Sequence, residues 1–245
     1  MQLAPGDEHG TQARTPPFFL PDESIAMKLP QFMRRRHLFL AAALAAILVP
    51  LSLDVVESHD QPADGTQTLV FLRHAEKPGE GLGQLNCQGL NRALDLATLL
   101  PERFGDADYV FAANPSRHVE EGSQDLRYSY IRPLMTITPS AIRLGLPVNI
   151  DFGANDYDEL ADELLSDKYR NATVYTAWSH GYLPDLINAV AGKALGDERV
   201  ITQDWNNDDF DTLYVLTLTW HDGEASLLSR NVRQGLDGGK KTCPT

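Results

Sequence analysis

The feature that most restricts how this chain can fold is an alternation of short strand-forming runs with segments of helical period. Leu69–Leu72, Asp108–Ala113, Val148–Ile150 and Ala172–Trp178 carry the apolar, β-branched and aromatic residues that suit strands. Between them, Gln88–Phe104 places Leu90, Ala93, Leu94, Ala97, Leu99 and Leu100 at helical spacing. Pro133 opens a second helix that Gly145 closes, and Asp156–Leu165 predicts an acidic surface helix. Leu183–Ala191 is helical again. Leu213–Trp220 and Ala225–Ser229 predict a terminal hairpin turning at His221-Asp222-Gly223. Such alternation predicts an α/β domain, a three-layer α/β/α sandwich around a mostly parallel sheet. Asn114–Tyr130 is polar and without period, so it predicts irregular structure.

The first strand runs directly into Arg73-His74-Ala75-Glu76. Ligands of open α/β sheets bind at the carboxyl ends of strands, where this pair falls. An arginine fork donates paired, charge-assisted hydrogen bonds to phosphate, and histidine titrates near neutrality. A surface Arg-His pair past a core strand is the bland alternative. Two further residues tilt the balance. His180-Gly181 follows the strand ending at Trp178, just before a helix, and Arg132 stands immediately before the helix opened by Pro133. Helix amides and dipoles there favour an anion. Two histidines and two arginines from three such positions can enclose a phosphoryl group.

Charge and termini limit the partners. The chain has 245 residues and a formal net charge of −13, which argues against nucleic acid, since phosphate backbones select lysine and arginine. Any phosphate site must be a local positive pocket. Arg34-Arg35-Arg36 precedes the apolar run Leu38–Val49, the layout of a secretory signal or N-terminal anchor. The run is shorter than the roughly 20 residues of a membrane span. No small-x-small cleavage site or lipobox cysteine follows it. The expected plan is a disordered extension or early start over 1–33, a signal or anchor over 34–53, a linker over 54–66 and a catalytic domain over 67–245. Met27-Lys28 makes a natural signal start. The expected location is the periplasm, free or anchored in the inner membrane. Cys87 and Cys243 either pair, tying down the C-terminal tail in an oxidising compartment, or remain thiols; spacing does not choose.

Arg73-His74-Ala75-Glu76 resembles the Arg-His-Gly-Glu signature of the histidine phosphatase superfamily, which includes the cofactor-dependent phosphoglycerate mutases. Gln84–Gly89 followed by Ala93 is similar to the family's Leu-Thr-x-x-Gly segment. Arg132-Pro133-Leu134-Met135-Thr136 keeps the Arg-x-x-x-Thr spacing of its second arginine motif, and His180-Gly181 resembles its late His-Gly. The resemblance spans residues 68–190 with the motifs in family order. It implies hydrolysis of phosphomonoesters, small-molecule or envelope, through a phosphohistidine on His74. Arg73, Arg132 and His180 would hold the phosphoryl oxygens, with no metal or cofactor required. A mutase-like phosphoryl transferase and a non-catalytic phosphate-binding module are the alternatives.

Two departures bear on the site. Ala75 replaces the family's glycine, and the insertion Arg117–Ile131 separates Asn114-Pro115-Ser116 from Arg132, which makes Arg117 a rival pocket arginine. A leaving alkoxide needs a proton from a carboxylic acid. Asp151 or Asp156 is the expected donor; Glu76 is a third candidate, expected rather to orient the loop or its arginine. The acidic stretch Asp204–Asp211 reads as a surface loop, without the spacing of a calcium loop.

Overall fold

A computed structural model describes residues 64–121, 126–196 and 199–245. The N-terminal extension, the signal or anchor segment and most of the linker lie outside the described residues. Among the described residues, no helix is long and apolar enough to cross a membrane.

The elements run β1 (Gly65–Arg73), α1 (Cys87–Phe104), β2 (Tyr109–Ala112), β3 (His118–Glu121), β4 (Leu126–Ser129), α2 (Arg132–Leu144), β5 (Val148–Asn149), α3 (Tyr157–Leu164), β6 (Thr173–Trp178), α4 (Leu183–Leu195), β7 (Thr212–His221) and β8 (Glu224–Arg233). A six-stranded sheet has the order β5-β2-β6-β1-β7-β8. β5, β2, β6 and β1 are parallel, and β7 pairs antiparallel with β1 and with β8. This is the α/β architecture expected, with helices on both faces of a mostly parallel sheet.

Side-chain alternation along β1 builds both cores at once. Leu69 and Phe71 pack with Leu160 and Leu164 of α3 and Leu186 and Ile187 of α4. Val70 and Leu72 pack with Leu96 and Leu100 of α1 and Ile137 and Ala141 of α2. All four β1 residues are buried, as befits a strand covered on both faces. Burying each stabilises the fold by roughly 1.5–3 kcal/mol. The chain passes from β1 over one face to β2 and β5, then returns through α3 on the other face to β6. β6 therefore inserts beside β1, and their carboxyl ends open a common crevice. The backbone N–H of His74 donates to the Trp178 carbonyl at 3.0 Å, fixing the two strand ends together.

α1 begins where the sequence signals it. Asn86 accepts from the Gly89 N–H at 2.8 Å, satisfying one orphan donor of the first turn. Gly89 is required by close approach, since a Cβ there would collide with the backbone oxygen of Glu76. Cys87, the first residue of α1, forms a disulfide with Cys243 across a Cα separation of 4.5 Å. Asn91 Nδ2 supports the same tail by donating to the carbonyls of Lys240 and Thr242 at 2.9 and 2.8 Å.

Two segments differ from expectation. Asn114–Tyr130 is not irregular throughout, because β3 and β4 form a separate antiparallel hairpin with His118 opposite Ser129. Most of its side chains are exposed or partly so, and it lacks the apolar alternation that betrays a strand. β8 runs to Arg233 rather than ending at Ser229, because this edge strand is held by a continuous ladder to β7 and needs little apolar character. Its turn, Asp222-Gly223, has both φ angles positive (50° and 81°), the requirement of a two-residue hairpin loop.

Candidate active site

The crevice at the ends of β1 and β6 contains a cavity of about 110 Å³ lined by His74, Lys77, Arg117, Val119, Tyr130, Arg132, Ser179, His180 and Tyr182. His74, Arg132 and His180 thus meet, although they are far apart in sequence. Arg73, the preceding residue of β1, is buried beside them.

His74 is 1% exposed. Its Nδ1 lies 2.8 Å from the Ala75 carbonyl, which can only accept, so Nδ1 carries the proton and Nε2 keeps its lone pair. Burial, helped by the charges of Arg132, Arg73 and His180, outweighs that hydrogen bond and holds the imidazole well below its usual 6.5. The ring is therefore neutral at physiological pH, with a basic nitrogen in a cationic pocket. The Ala75 N–H donates to Thr136 Oγ1 at 2.9 Å, and that hydroxyl donates to the Arg132 carbonyl at 2.8 Å. Thr136 so fastens the histidine loop to the first turn of α2, which explains the spacing between Arg132 and Thr136.

Each arginine is held by one nitrogen. Arg73 Nη1 donates to the carbonyls of Asn206, Asn207 and Asp209 at 3.3, 2.6 and 3.1 Å, and its guanidinium lies 3.8 Å from the Phe210 ring centroid. Burial lowers its pKa to about 10, so it remains a cation. Arg132 Nη1 donates to Glu121 Oε2 at 2.7 Å, and its guanidinium is 4.7 Å from the Tyr130 ring centroid. The Nε atoms of both arginines are buried without a hydrogen-bond partner among the described residues. His180 follows the pattern. Its Nε2 is 2.7 Å from Asn207 Oδ1, while its buried Nδ1 has no partner. Burial and the Arg73 charge lower its pKa as well. The His74 and His180 rings lie edge to face, 6.1 Å between centroids.

The carboxylates are arranged differently from expectation. Asp151 is exposed and lines a separate cavity at the β5 edge with Asp108 and Lys168. Asp156 accepts from the Gly153 N–H at 2.8 Å. Neither lines the cavity containing His74. Glu76 forms a two-pronged ion pair with Nε and Nη2 of buried Arg92, whose Nη1 reaches Asp211 and Gln234 at 3.0 and 2.9 Å and whose Nη2 also donates to Asp237 at 3.1 Å. It therefore ties the loop that carries His74 to α1. Arg117, the rival pocket arginine, lies at the rim, with Nη2 donating to the Tyr182 hydroxyl at 3.2 Å.

Sequence reasoning missed Glu121, Asn207 and Phe210. Asp204–Asp211 is the mostly exposed loop expected, and its backbone carbonyls also grip Arg73, so it supports the site from behind that arginine. Backbone acceptors leave no signature in side-chain identity. Among the described residues, the groups close enough to share a metal ion are the exposed Asp64, His221 and Asp222, at the opposite end of β1 from Arg73.

No protein-family model and no curated protein matches the chain. It is similar to a solved structure assigned as the phosphohistidine phosphatase SixA of Nakamurella multipartitia, at 17% identity and a TM-score of 0.41, covering 69% of this chain and 97% of that one. A mycobacterial glucosyl-3-phosphoglycerate phosphatase solved with inorganic phosphate matches at 16% identity and a TM-score of 0.44, covering 69% and 98%. A protein assigned as SixA from Agrobacterium tumefaciens matches at 16% and 0.41, covering 68% and 97%.

Proposed function

We propose that the chain is a phosphatase that hydrolyses phosphomonoesters through a phosphohistidine on His74. One observation carries the reading. Arg73, His74, Arg132 and His180 are each hydrogen-bonded by the protein through one nitrogen, and Arg73, Arg132 and His180 each keep another nitrogen buried and unpartnered. Such a set is preorganised to surround a phosphoryl group, and phosphoryl transfer asks mainly for positioning and charge stabilisation.

In the first step His74 Nε2 attacks phosphorus. The N–P bond forms as the P–O bond to the leaving group breaks, and the leaving oxygen takes the electron pair. Arg73 and Arg132 donate to the phosphoryl oxygens, and His180, whose Nε2 faces Asn207 Oδ1, joins them through Nδ1 once the bound dianion has drawn a second proton onto its ring. Water then attacks phosphorus: the new P–O bond forms as the N–P bond breaks, Nε2 recovers its electron pair, and the water gives up a proton to solvent as orthophosphate leaves. Because neither Asp151 nor Asp156 lines the cavity, the reading favours substrates whose leaving group departs without a proton from either carboxylate: aryl phosphates among the monoesters, and beyond them anhydrides or phosphohistidine, where P–N cleavage takes the place of P–O cleavage. We also infer export to the periplasm, free or anchored, from the Arg34–Val49 pattern. The Cys87–Cys243 bond supports that placement, as disulfides persist in oxidising compartments.

The test is hydrolysis of p-nitrophenyl phosphate by the full-length chain, with and without chelator, alongside His74→Ala and His180→Ala. Turnover that resists chelation, is abolished in His74→Ala and yields an alkali-stable, acid-labile phosphoprotein is expected. Undiminished turnover in His74→Ala would discard the mechanism.

A further inference from the structure

We propose that Glu121 is a positioning residue for Arg132, which makes the β3–β4 hairpin a working part of the phosphate pocket. The proposal rests on the phosphatase reading above. A guanidinium on a long side chain can turn about its terminal bonds, so a buried arginine grips phosphate well only if something fixes its plane. For Arg132 that restraint is Glu121 Oε2, 2.7 Å from Nη1, with the Tyr130 ring against the guanidinium face. Holding Nη1 from outside leaves the opposite edge, with its unpartnered Nε, for a ligand.

The same carboxylate ties down two further segments. Its Oε1 is 3.1 Å from Lys77 Nζ, another residue lining the cavity, and its Oε2 accepts from the Gly83 N–H at 3.0 Å. Gly81 gives the carboxylate room, since a Cβ there would collide with it. Burial works against the ionised form. The Arg132 hydrogen bond, the Gly83 amide and Lys77 outweigh it and lower the Glu121 pKa to about 2. A group this acidic carries no proton to give a leaving alkoxide, so its place is to orient and not to protonate.

The experiment measures kcat and KM for p-nitrophenyl phosphate, and inhibition by inorganic phosphate, in the full-length chain. Variants are E121A, E121D, E121Q, R132K and E121A combined with R132K. E121A is expected to raise KM and the phosphate inhibition constant roughly 10- to 100-fold, the scale of one charge-assisted hydrogen bond. E121D, one methylene short of Arg132, should do the same, and it replaces E121A should that variant not fold. E121Q should recover most of the loss, because its amide oxygen still accepts from Nη1. In the R132K background, E121A should add less than about twofold, since its effect passes through the missing guanidinium. An undiminished effect of E121A in that background overturns the proposal, because Glu121 would then act only on the hairpin. So does tighter phosphate inhibition in E121A, which would make the carboxylate a competitor. A wild-type chain that neither turns over substrate nor binds phosphate removes the phosphatase reading itself, an outcome separate from these.

Discussion

Cutting the Cys87–Cys243 bond should cost stability in proportion to the loop that it closes. The cysteines are 156 residues apart, so the bond encloses almost the whole folded domain. In the chain-entropy account, a loop of that length removes about 5 kcal/mol of disorder from the unfolded state. That is a ceiling, because most residues of the tail beyond Asp237 are exposed. Freed from the bond, the tail can undock locally, and the folded state regains some entropy too. The contacts opposing this are Asn91 with the carbonyls of Lys240 and Thr242, and Asp237 with Arg92 and Arg233. Removing the bond is therefore expected to cost about 2–5 kcal/mol. At roughly 2–4 °C per kcal/mol for a domain of this size, melting should fall by about 4–20 °C. The assay is thermal and urea unfolding of wild type, C243S and the double Cys87→Ser, Cys243→Ser variant, with wild-type thiols counted in denaturant. Turnover well below the melting temperature should persist, since the bond touches the first turn of α1 and not His74. A fall under about 2 °C in protein shown to have no free thiols would refute the reasoning.

Three further outcomes are expected. Arg92→Met leaves buried Glu76 without its cation and takes from Asp211 one of its two arginines, Arg233 remaining, and should cost about 3–5 kcal/mol in urea unfolding, with lowered turnover because Glu76 belongs to the loop that carries His74; a loss below 1 kcal/mol would mean that the ion network does not hold that loop. Gly89→Ala drives a methyl group into the Glu76 carbonyl and should cost about 1–3 kcal/mol, and unchanged stability would deny the close approach. His74 is neutral when folded but binds a proton below pH 6.5 when unfolded, so stability should fall as pH drops from 6.5 toward the lower folded pKa. The slope from this residue is at most about 1.4 kcal/mol per pH unit, and titrating His74→Asn should show a shallower fall, an equal one contradicting the assignment.

What the sequence made legible follows from what side-chain chemistry encodes. β1 and β6 were readable because strands covered on both faces carry few polar residues: Leu69–Leu72 is wholly apolar, and Ala172–Trp178 is broken by two threonines that are themselves strand formers. Arg73, His74, Arg132 and His180 were readable because each stands at a strand end or a helix start. The β3–β4 hairpin was not, since His-Val-Glu-Glu and Leu-Arg-Tyr-Ser expose most of their side chains and leave no period to count. Glu121 and Asn207 were invisible for a related reason. Nothing in sequence marks one carboxylate among 34 acidic residues as the partner of a particular arginine more than ten positions away.

The acidity of the chain and its cationic pocket fit together through these missed residues. Two arginines, a lysine and two histidines crowded into one buried site repel each other, and desolvation adds to the cost. The structure answers with different acceptors at different depths. Backbone carbonyls of Asn206, Asn207 and Asp209 hold Arg73, adding dipoles without adding net charge, so its positive charge persists. Glu121 meets Arg132 and Lys77 nearer the rim, where one carboxylate serves two cations. The histidines give up their charge instead, since burial and the arginines keep both imidazoles below their ordinary pKa. A neutral His74 flanked by cations is what a nitrogen nucleophile for phosphorus requires: a free lone pair, with positive charge placed around it rather than on it.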